Sequence, residues 1–529
     1  MSRVAATRLT RFLVLAGTVA AVTASSGSAA QPARAPILGV VPHSAHLAPA
    51  PHMLSKAIRA AGPTTLTFDA NYQTVINRYF ADVAHDSGGT SNVYSVATQY
   101  YDNPGAVHIQ YQSTFGGSYV SHDPLPASVC DDGLDTYCLT DQQLQGEIQN
   151  VLTAAGWTGG LDHIFFLLTP NGVGSCFDQF GQCSTDTFCA YHSSFGSGSA
   201  PVIYANEPYE GPIPGCTDST QGFPNDMDAD TTVNTISHEH NEAITNPVEN
   251  GWLANDGNEN GDLCAYGFGT QTNPGPGAYN QVINGHPYDL QQEWSNADNG
   301  CTQHTGGAAT APKFGNGPLL YGGGPVMHTN TTYVIYWLPT ARNTSAPTLS
   351  GTAIVNRTLT TSAGSWAGGG APFSYQWQRC SSTGSSCVNI SGATGSTYLL
   401  TAADGGHVVR STVRATNVNG ASPPTASAGT RAVVDVPAVT KAPHVSGRAK
   451  IGKKLSGSHG SWTFSATYHY QWLRCNSRGR NCSRIRKATR STYRLTKHDF
   501  RHRLRVRVTA LNAAGSRVAT SAASARVGH

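Results

Sequence analysis

Positive charge is nearly missing from the front of this 529-residue sequence. Between residues 31 and 340 there are five basic side chains (Arg34, Lys56, Arg59, Arg78 and Lys313) against 28 acidic ones. Such a surface suits cations. A nucleic acid could bind the basic end of the chain, but an exported protein more often meets anionic wall polymers or acidic glycans, so no nucleic-acid partner is expected. The sequence has no Gly-x-Ser-x-Gly elbow and no phosphate-binding loop, which removes serine-nucleophile and nucleotide chemistry. After the first 30 residues no apolar run approaches bilayer length, so no transmembrane helix is expected.

What is present begins with an export signal. Arg3, Arg8 and Arg11 precede an apolar stretch at 12–22, and Ser28-Ala29-Ala30 offers a small-residue cleavage site. Residues 1–30 therefore read as a signal peptide and the mature chain as secreted, extracellular, and possible to hold at a cell surface. The twelve cysteines suit that oxidising compartment. Four pairs are near neighbours: Cys130–Cys138, Cys176–Cys183, Cys380–Cys387 and Cys475–Cys482. The others remain for longer bridges, with Cys301 placed to tie back to Cys264, leaving Cys189–Cys216.

Residues 31–63, rich in Pro, Ala and His, read as a flexible leader. From 64 to 340 helical and apolar-strand patterns alternate, the mark of a layered α/β domain. Helices are expected at 71–85 and 141–155, where apolar residues recur three and four apart. Strands are expected at 92–101, 107–111, 162–169, 201–205 and 331–338, with shorter ones at 281–282 and 288–294. The run 162–169 is apolar throughout, as in a strand covered on both faces.

Beyond 341 the composition turns to short strands rich in Ser, Thr, Gly and Val, and an internal repeat emerges. Ser374-Tyr-Gln-Trp-Gln-Arg-Cys380 returns as His469-Tyr-Gln-Trp-Leu-Arg-Cys475, 95 residues on. Cys387, Tyr398 and Asn417 return at the same offset as Cys482, Tyr493 and Asn512. Two all-β modules with a central Trp, at 341–436 and 437–529, read as immunoglobulin-like sandwiches. The second holds 20 of the 34 Lys and Arg residues and one acid, Asp499. Its Arg501, Arg503, Arg505 and Arg507, spaced by two, would line one strand face. An anionic cell-wall polymer or acidic glycan is the partner this charge suits, by binding that weakens steeply with salt; a merely solvated face is the alternative.

The chemistry concentrates at 231–247. At 100° per residue, Val233, Ile236, His240, Ala243 and Ile244 fall in a sector about 120° wide. His238 and Glu242 lie together opposite it, and Glu239 at its edge. Asp228 or Asp230 is placed to cap the helix, and Asn246-Pro247 to end it. A His/Glu pair one turn apart, shown to a cleft, can hold a divalent metal. Glu239 stands where a zinc-protease helix carries its general base. The following loop, Asn255-Asp-Gly-Asn-Glu-Asn-Gly-Asp262, adds Asp262 as third ligand, with Glu259 as its rival. Zinc is the first choice of metal; one imidazole and two carboxylates also suit calcium, magnesium or manganese. The loop lacks the spacing of an EF-hand. His240 faces the apolar side, as a hydrogen-bonded core residue.

Ser237-His-Glu-His-Asn-Glu-Ala-Ile-Thr-Asn-Pro247, Gly251-Trp252 and Gly257-Asn-Glu-Asn-Gly-Asp-Leu-Cys264 together resemble the EXORDIUM/phosphate-induced protein family and its secreted bacterial relatives. Phe188-Cys-Ala-Tyr-His192, Trp294 and Cys301 extend the resemblance over roughly 64–340. It implies an extracellular or wall-associated protein without a settled activity, and adds His192 as a candidate for the same cleft. One departure concerns order: the Gly323-Gly-Pro-Val-Met-His-Thr-Asn-Thr-Thr-Tyr-Val-Ile-Tyr-Trp337 segment follows the domain here, where relatives carry its counterpart before the first helix. A circular permutation, with 331–338 filling the usual place of an N-terminal strand, accounts for that order. Two functions follow as expectations. One is a metal-dependent hydrolase of the peptidase type, acting on a peptide or extracellular polymer. The other is a non-catalytic extracellular binding protein whose metal stabilises it.

Overall fold

The computed structural model describes Val40–Pro42 and residues 66–529, apart from 103–106, 134, 180, 197–199, 212, 214, 274, 369–371 and 465. The expected signal peptide lies outside the described residues. So does most of the expected leader, but Val40–Pro42 within it forms a short strand, β1.

The other principal elements of the front region are α1 (Tyr72–His85), β2 (Ser113–Ser121), α2 (Asp141–Ala155), β3 (His163–Leu168), β4 (Phe188–Phe195), β5 (Val202–Glu207), α3 (Met227–Thr245) and β6 (Asn330–Trp337). Six strands form one mixed sheet in the order β1-β4-β5-β3-β6-β2. β5, β3, β6 and β2 run parallel, and β4 is antiparallel to both β5 and β1.

The alternation of side chains along a strand explains the layering. Ile164, Phe166 and Leu168 of β3 pack with α1 and α3 on one face, together with Ile203, Ala205, Val334 and Tyr336. Phe165 and Leu167 point the other way, into a cluster with Leu144, Ile148 and Val151 of α2 and with Tyr204, Ile335 and Trp337. β3 is buried on both faces, as its unbroken apolar run requires.

β6 lies inside this sheet, paired with β3 through Thr331–His163 to Tyr336–Leu168 and with β2 on its other edge. A segment from the end of the front region thus completes its centre. Ile335 is fully buried against α2. Ile335→Ala is expected to cost about 2–5 kcal/mol of front-domain stability, measured by chemical unfolding; a cost under 0.5 kcal/mol would contradict a central place for β6.

Local departures from the sequence expectation have local causes. Residues 92–101, expected as a strand, form a 3-10 helix at Val93–Gln99, because the Asn92 side chain accepts from the Tyr94 amide and starts a turn. Residues 107–111 pair only at Val107–His108. β2 was not anticipated, since Gly116 and Gly117 interrupt its pattern. Gly116 is required by packing: a Cβ there would overlap the Tyr333 ring.

Two β-sandwich modules follow. Their longest strands are β7 (Phe373–Cys380), β8 (Val408–Asn417), β9 (Thr467–Cys475) and β10 (Arg503–Asn512). β7 pairs with β8 and β9 with β10, both antiparallel, and each pair faces a three-stranded sheet. Trp377 and Trp472 are fully buried, and each donates its indole N–H to a carbonyl, Gly395 or Arg490, at 2.9 Å. Among the described residues these modules hold no α-helix, and those residues as a whole are mostly β, with 36% strand and 14% helix.

All six expected disulfides are formed, and no cysteine is free. Among the described residues no helix is long and apolar enough to cross a membrane.

Candidate metal centre

α3 carries the candidate ligands, and its start differs from expectation. Asp226 is the cap, its side chain accepting from the Ala229 amide; Asp228 and Asp230 fall in the first turn. Asp230 instead accepts from the backbone amides of Asn225 and Asp226, so it braces the turn before the helix. The helix ends at Thr245, before Asn246-Pro247.

The larger correction concerns the polar side. It does not face an open cleft: every residue from 229 to 245 is buried. The sheet and α1 cover the apolar side, where His240 sits between the Tyr94 hydroxyl and Asn330 Oδ1, each at 3.0 Å. Burial with little compensation lowers the His240 pKa to about 4, so it is a neutral core residue. The turn at 259–264 and the strand Glu293–Ser295 cover the polar side. The bridge Cys264–Cys301 holds that cover in place.

His192 reaches the same spot from β4. Tyr191 joins the α2-side cluster, so its neighbour His192, paired with Ala205 of β5, points to the α3 side. There His192 Nδ1 lies 3.0 Å from Glu239 Oε2 and 3.7 Å from Glu242 Oε2, and Nε2 lies 3.9 Å from Glu259 Oε1. His238 Nε2 lies 2.8 Å from Glu242 Oε1 and 3.5 Å from Asp262 Oδ1. The 2.8 Å approach lacks hydrogen-bond alignment, and both His238 ring nitrogens are without a hydrogen-bond partner. Two donor atoms this close and unaligned are spaced like neighbouring ligands on one ion.

Two groups have the proximity a metal needs, with donor atoms within 4.8 Å of one another: His238, Glu239 and Glu242, and His192, Glu242 and Glu259. Of the rival third ligands, Glu259 joins a group and Asp262 stands at the edge. Asp262 Oδ2 accepts from the Glu259 amide, and its own amide donates to Glu242 Oε1 at 2.8 Å. Glu239 is not a free base poised over a cleft, because one oxygen is engaged by His192 and the residue is fully buried.

The first half of the loop at 255–262 faces solvent, and its second half is inserted against α3. Asn260 Nδ2 donates to Glu293 Oε2 at 3.0 Å while its Oδ1 accepts from the Thr245 hydroxyl. At Gly261 an added Cβ would stand 2.9 Å from Glu242 Oε1 and 3.0 Å from His238 Cγ. The loop thus touches the ligands directly. Gly261→Ala is expected to weaken metal binding about 10–100-fold, the usual effect of disturbing the groups that orient ligands; competition with a calibrated chelator measures it, and unchanged affinity would contradict the arrangement.

Further carboxylates surround the groups. Glu207, Glu210 and Glu293 are fully buried, and Thr235 bridges the first two with its hydroxyl. Burial pushes the carboxyls of Glu207, Glu239, Glu242, Glu259 and Glu293 up. At His192 burial acts downward, but the charges of Glu259, Glu239 and Glu242 outweigh it and raise the pKa to about 10. So much buried negative charge is stable only with protons or cations as compensation. Two imidazoles among carboxylate oxygens fit a divalent ion of borderline character. Glu207 and Glu293 escaped the sequence reading. The available sign at Glu207 was a carboxylate two residues beyond the apolar run 202–205 in β5.

The arginine ribbon of the last module is only partly as expected. Arg503, Arg505 and Arg507 share one face of β10, opposite buried Leu504, Val506 and Val508. Arg501 lies before the strand at positive φ. Arg503 and Arg505 donate to the Ser477, Gly479, Ser521 and Ser524 carbonyls, which ties them to the module's own backbone. Exposed cations of the module include Arg478, Arg480, Arg486, Lys487 and Arg490 in its loops and Arg484 on a short strand.

No protein-family model and no curated protein matches the chain. Among solved structures, the three N-terminal domains of the bacteriophage RB49 highly immunogenic outer capsid protein are similar over 41% of this chain and 86% of that one, at 11% identity and TM-score 0.23. A Ca2+-stabilized adhesin by which an Antarctic bacterium binds ice is similar over 35% of this chain and 49% of that one, at 10% identity and TM-score 0.20. The first two immunoglobulin domains of DIP-gamma match over 35% and 98%, at 12% identity and TM-score 0.20. Part of the chain therefore has immunoglobulin-like neighbours, at TM-scores too low to carry a functional argument.

Proposed function

We propose that the chain is an extracellular binding protein whose front domain is organised and stabilised by a divalent-metal centre, zinc or manganese being the ions its donors suit. In this reading the layered α/β domain is a permuted relative of the EXORDIUM type, with β6 in the place of an N-terminal strand. His238, Glu239, Glu242, His192 and Glu259 would hold the metal, and Asp262 and Asn246 would orient Glu242 and Glu259. The basic loops of the second immunoglobulin-like module would attach the protein to an anionic wall polymer or glycan.

The observation that carries the stabilising role is closure. The five donor residues are 0–1% exposed and Asp262 is 7% exposed, with the Gly261 backbone against two of the donors. A peptide has no approach to donors so placed.

A peptidase-type hydrolase is the second reading. It is favoured by one observation: β1, from the stretch before the front domain, runs beside α3 and the Asp262–Cys264 turn. Displacing that segment would uncover one side of the centre. A bound metal ion would then supply Lewis acidity and lower the pKa of a water, and Glu239 would be the residue to take its proton.

Metal analysis of the purified chain, with a broad peptide-cleavage assay of wild type and Glu239→Gln, separates the two. Metal retained without cleavage supports the binding protein. Cleavage by wild type that Glu239→Gln abolishes would replace it with the hydrolase.

A further inference from the structure

Glu242 is shared by both donor groups, and its two oxygens are divided between two histidines. Oε1 lies 2.8 Å from His238 Nε2, and Oε2 lies 3.7 Å from His192 Nδ1. We infer that the centre is binuclear: two divalent cations bridged by the Glu242 carboxylate, one held with His238 and Glu239, the other with His192 and Glu259. This rests on the metal reading above and specifies its stoichiometry.

Three observations carry it. The first is the partition of donors into two triads that have only Glu242 in common. A carboxylate that gives one oxygen to each ion suits a pair about 3.5–4 Å apart, the spacing of two-metal sites.

The second is the pattern of satisfied and orphaned oxygens. Each of the three glutamates has one oxygen fixed by the protein. Glu239 Oε2 meets His192, Glu242 Oε1 accepts from the Asp262 amide, and Glu259 Oε1 accepts from Asn246 Nδ2 at 2.5 Å. The other oxygen of each, Glu239 Oε1, Glu242 Oε2 and Glu259 Oε2, is buried without a hydrogen-bond partner, as are both nitrogens of His238. Buried polar atoms almost always have partners. Five orphaned atoms on three neighbouring glutamates and one histidine, residues that are themselves fully buried, mark places for ligands. Glu239 and Glu259 are each oriented through one oxygen and present the other; Glu242 presents Oε2 to one ion and the second lone pair of Oε1 to the other.

The third is charge. Glu239, Glu242, Glu259 and Asp262, with Glu207, Glu210 and Glu293 beside them, form a buried excess of carboxylates over cationic side chains. A second divalent cation offsets charge that a single ion would leave buried and unpaired. Arg78 and Lys313, the cationic side chains of the described front region, contact Tyr288, Asn225 and the Tyr266 carbonyl, so neither supplies the missing charge.

The test uses the full mature chain, stripped by chelator dialysis and titrated with Mn2+. Plasma mass spectrometry then counts ions after desalting, and electron paramagnetic resonance at full loading reports their spacing. Two equivalents with an exchange-coupled signal are expected. His192→Leu and His238→Leu should each retain about one equivalent and return an isolated six-line spectrum. The wild-type measurements stand if either variant fails to fold. One equivalent in wild type would overturn the binuclear centre and leave the metal reading intact. Two equivalents with only the isolated six-line spectrum would overturn the bridge, placing the second ion elsewhere. No retained metal would overturn both readings.

Discussion

Removing divalent metal from the full-length chain is expected to lower its front-domain unfolding transition by about 8–16 °C. The size follows from linkage. A ligand at about a thousand times its dissociation constant contributes about 4.1 kcal/mol, and each kcal/mol moves the transition of a domain this large by about 2–4 °C. The buried carboxylates make the direction firm. Without a cation, Glu239, Glu242 and Glu259 have His192, His238 and protons as compensation, inside a region where none is exposed to water. Scanning calorimetry with and without chelator measures the shift, and re-addition of zinc or manganese should reverse it. The sandwich modules supply an internal control, since their transitions should not move. A front-domain shift below 2 °C would contradict the stabilising role.

Asp404→Ala and Asp499→Ala are expected to destabilise their own modules by about 3 kcal/mol each, while leaving metal binding unchanged. The two aspartates stand 95 residues apart and do the same work. Asp404 meets Arg379 at 2.7 Å, accepts from the Tyr398 hydroxyl and caps the turn at Thr401 through the amide and hydroxyl. Asp499 repeats every contact with Arg474, Tyr493 and Thr496. Removing one partner of a buried, hydrogen-bonded pair costs about 3–5 kcal/mol; the low end applies because each arginine side chain is 26% exposed.

The same contacts fix a pH dependence. Burial alone would raise these carboxyls, but the threonine amides, the arginines and the hydroxyls outweigh it and hold both below the ordinary value of 3.8. A depressed folded-state pKa gives stability that is complete above the unfolded value and lost as pH falls through the folded one. Module stability should therefore be flat above about pH 5 and fall below about pH 4, a fall the alanine variants should lack in part. Denaturant unfolding of each variant from pH 3 to 7 checks both claims; equal slopes in wild type and variant would contradict them.

Much of this architecture is readable in the chain itself. β3 is an apolar run with Gly and Pro at its edges, and such a run demands cover on both faces. The 95-residue repeat carries Trp, Tyr, Arg and Cys at fixed offsets, so the two sandwiches announce themselves. α3 is readable as a helix with His238 and Glu242 on one side. Its surroundings are not, because periodicity reports which side is polar and never what lies against it. The cover comes from Gly261, Asn260 and Glu293, distant in sequence and brought there by the Cys264–Cys301 bridge and short hairpins. The same limit hid the place of Arg503 and Arg505, whose spacing by two is right for a strand face. Their bonds to neighbouring carbonyls depend on loops that no local pattern encodes.

Anomalous diffraction from crystals of the full-length chain grown with zinc tests the central claim most directly. The expected result is strong density beside Glu242, within coordination distance of His238 on one side and of His192 and Glu259 on the other. Zinc density confined to surface histidines, with none beside Glu242, would contradict the account.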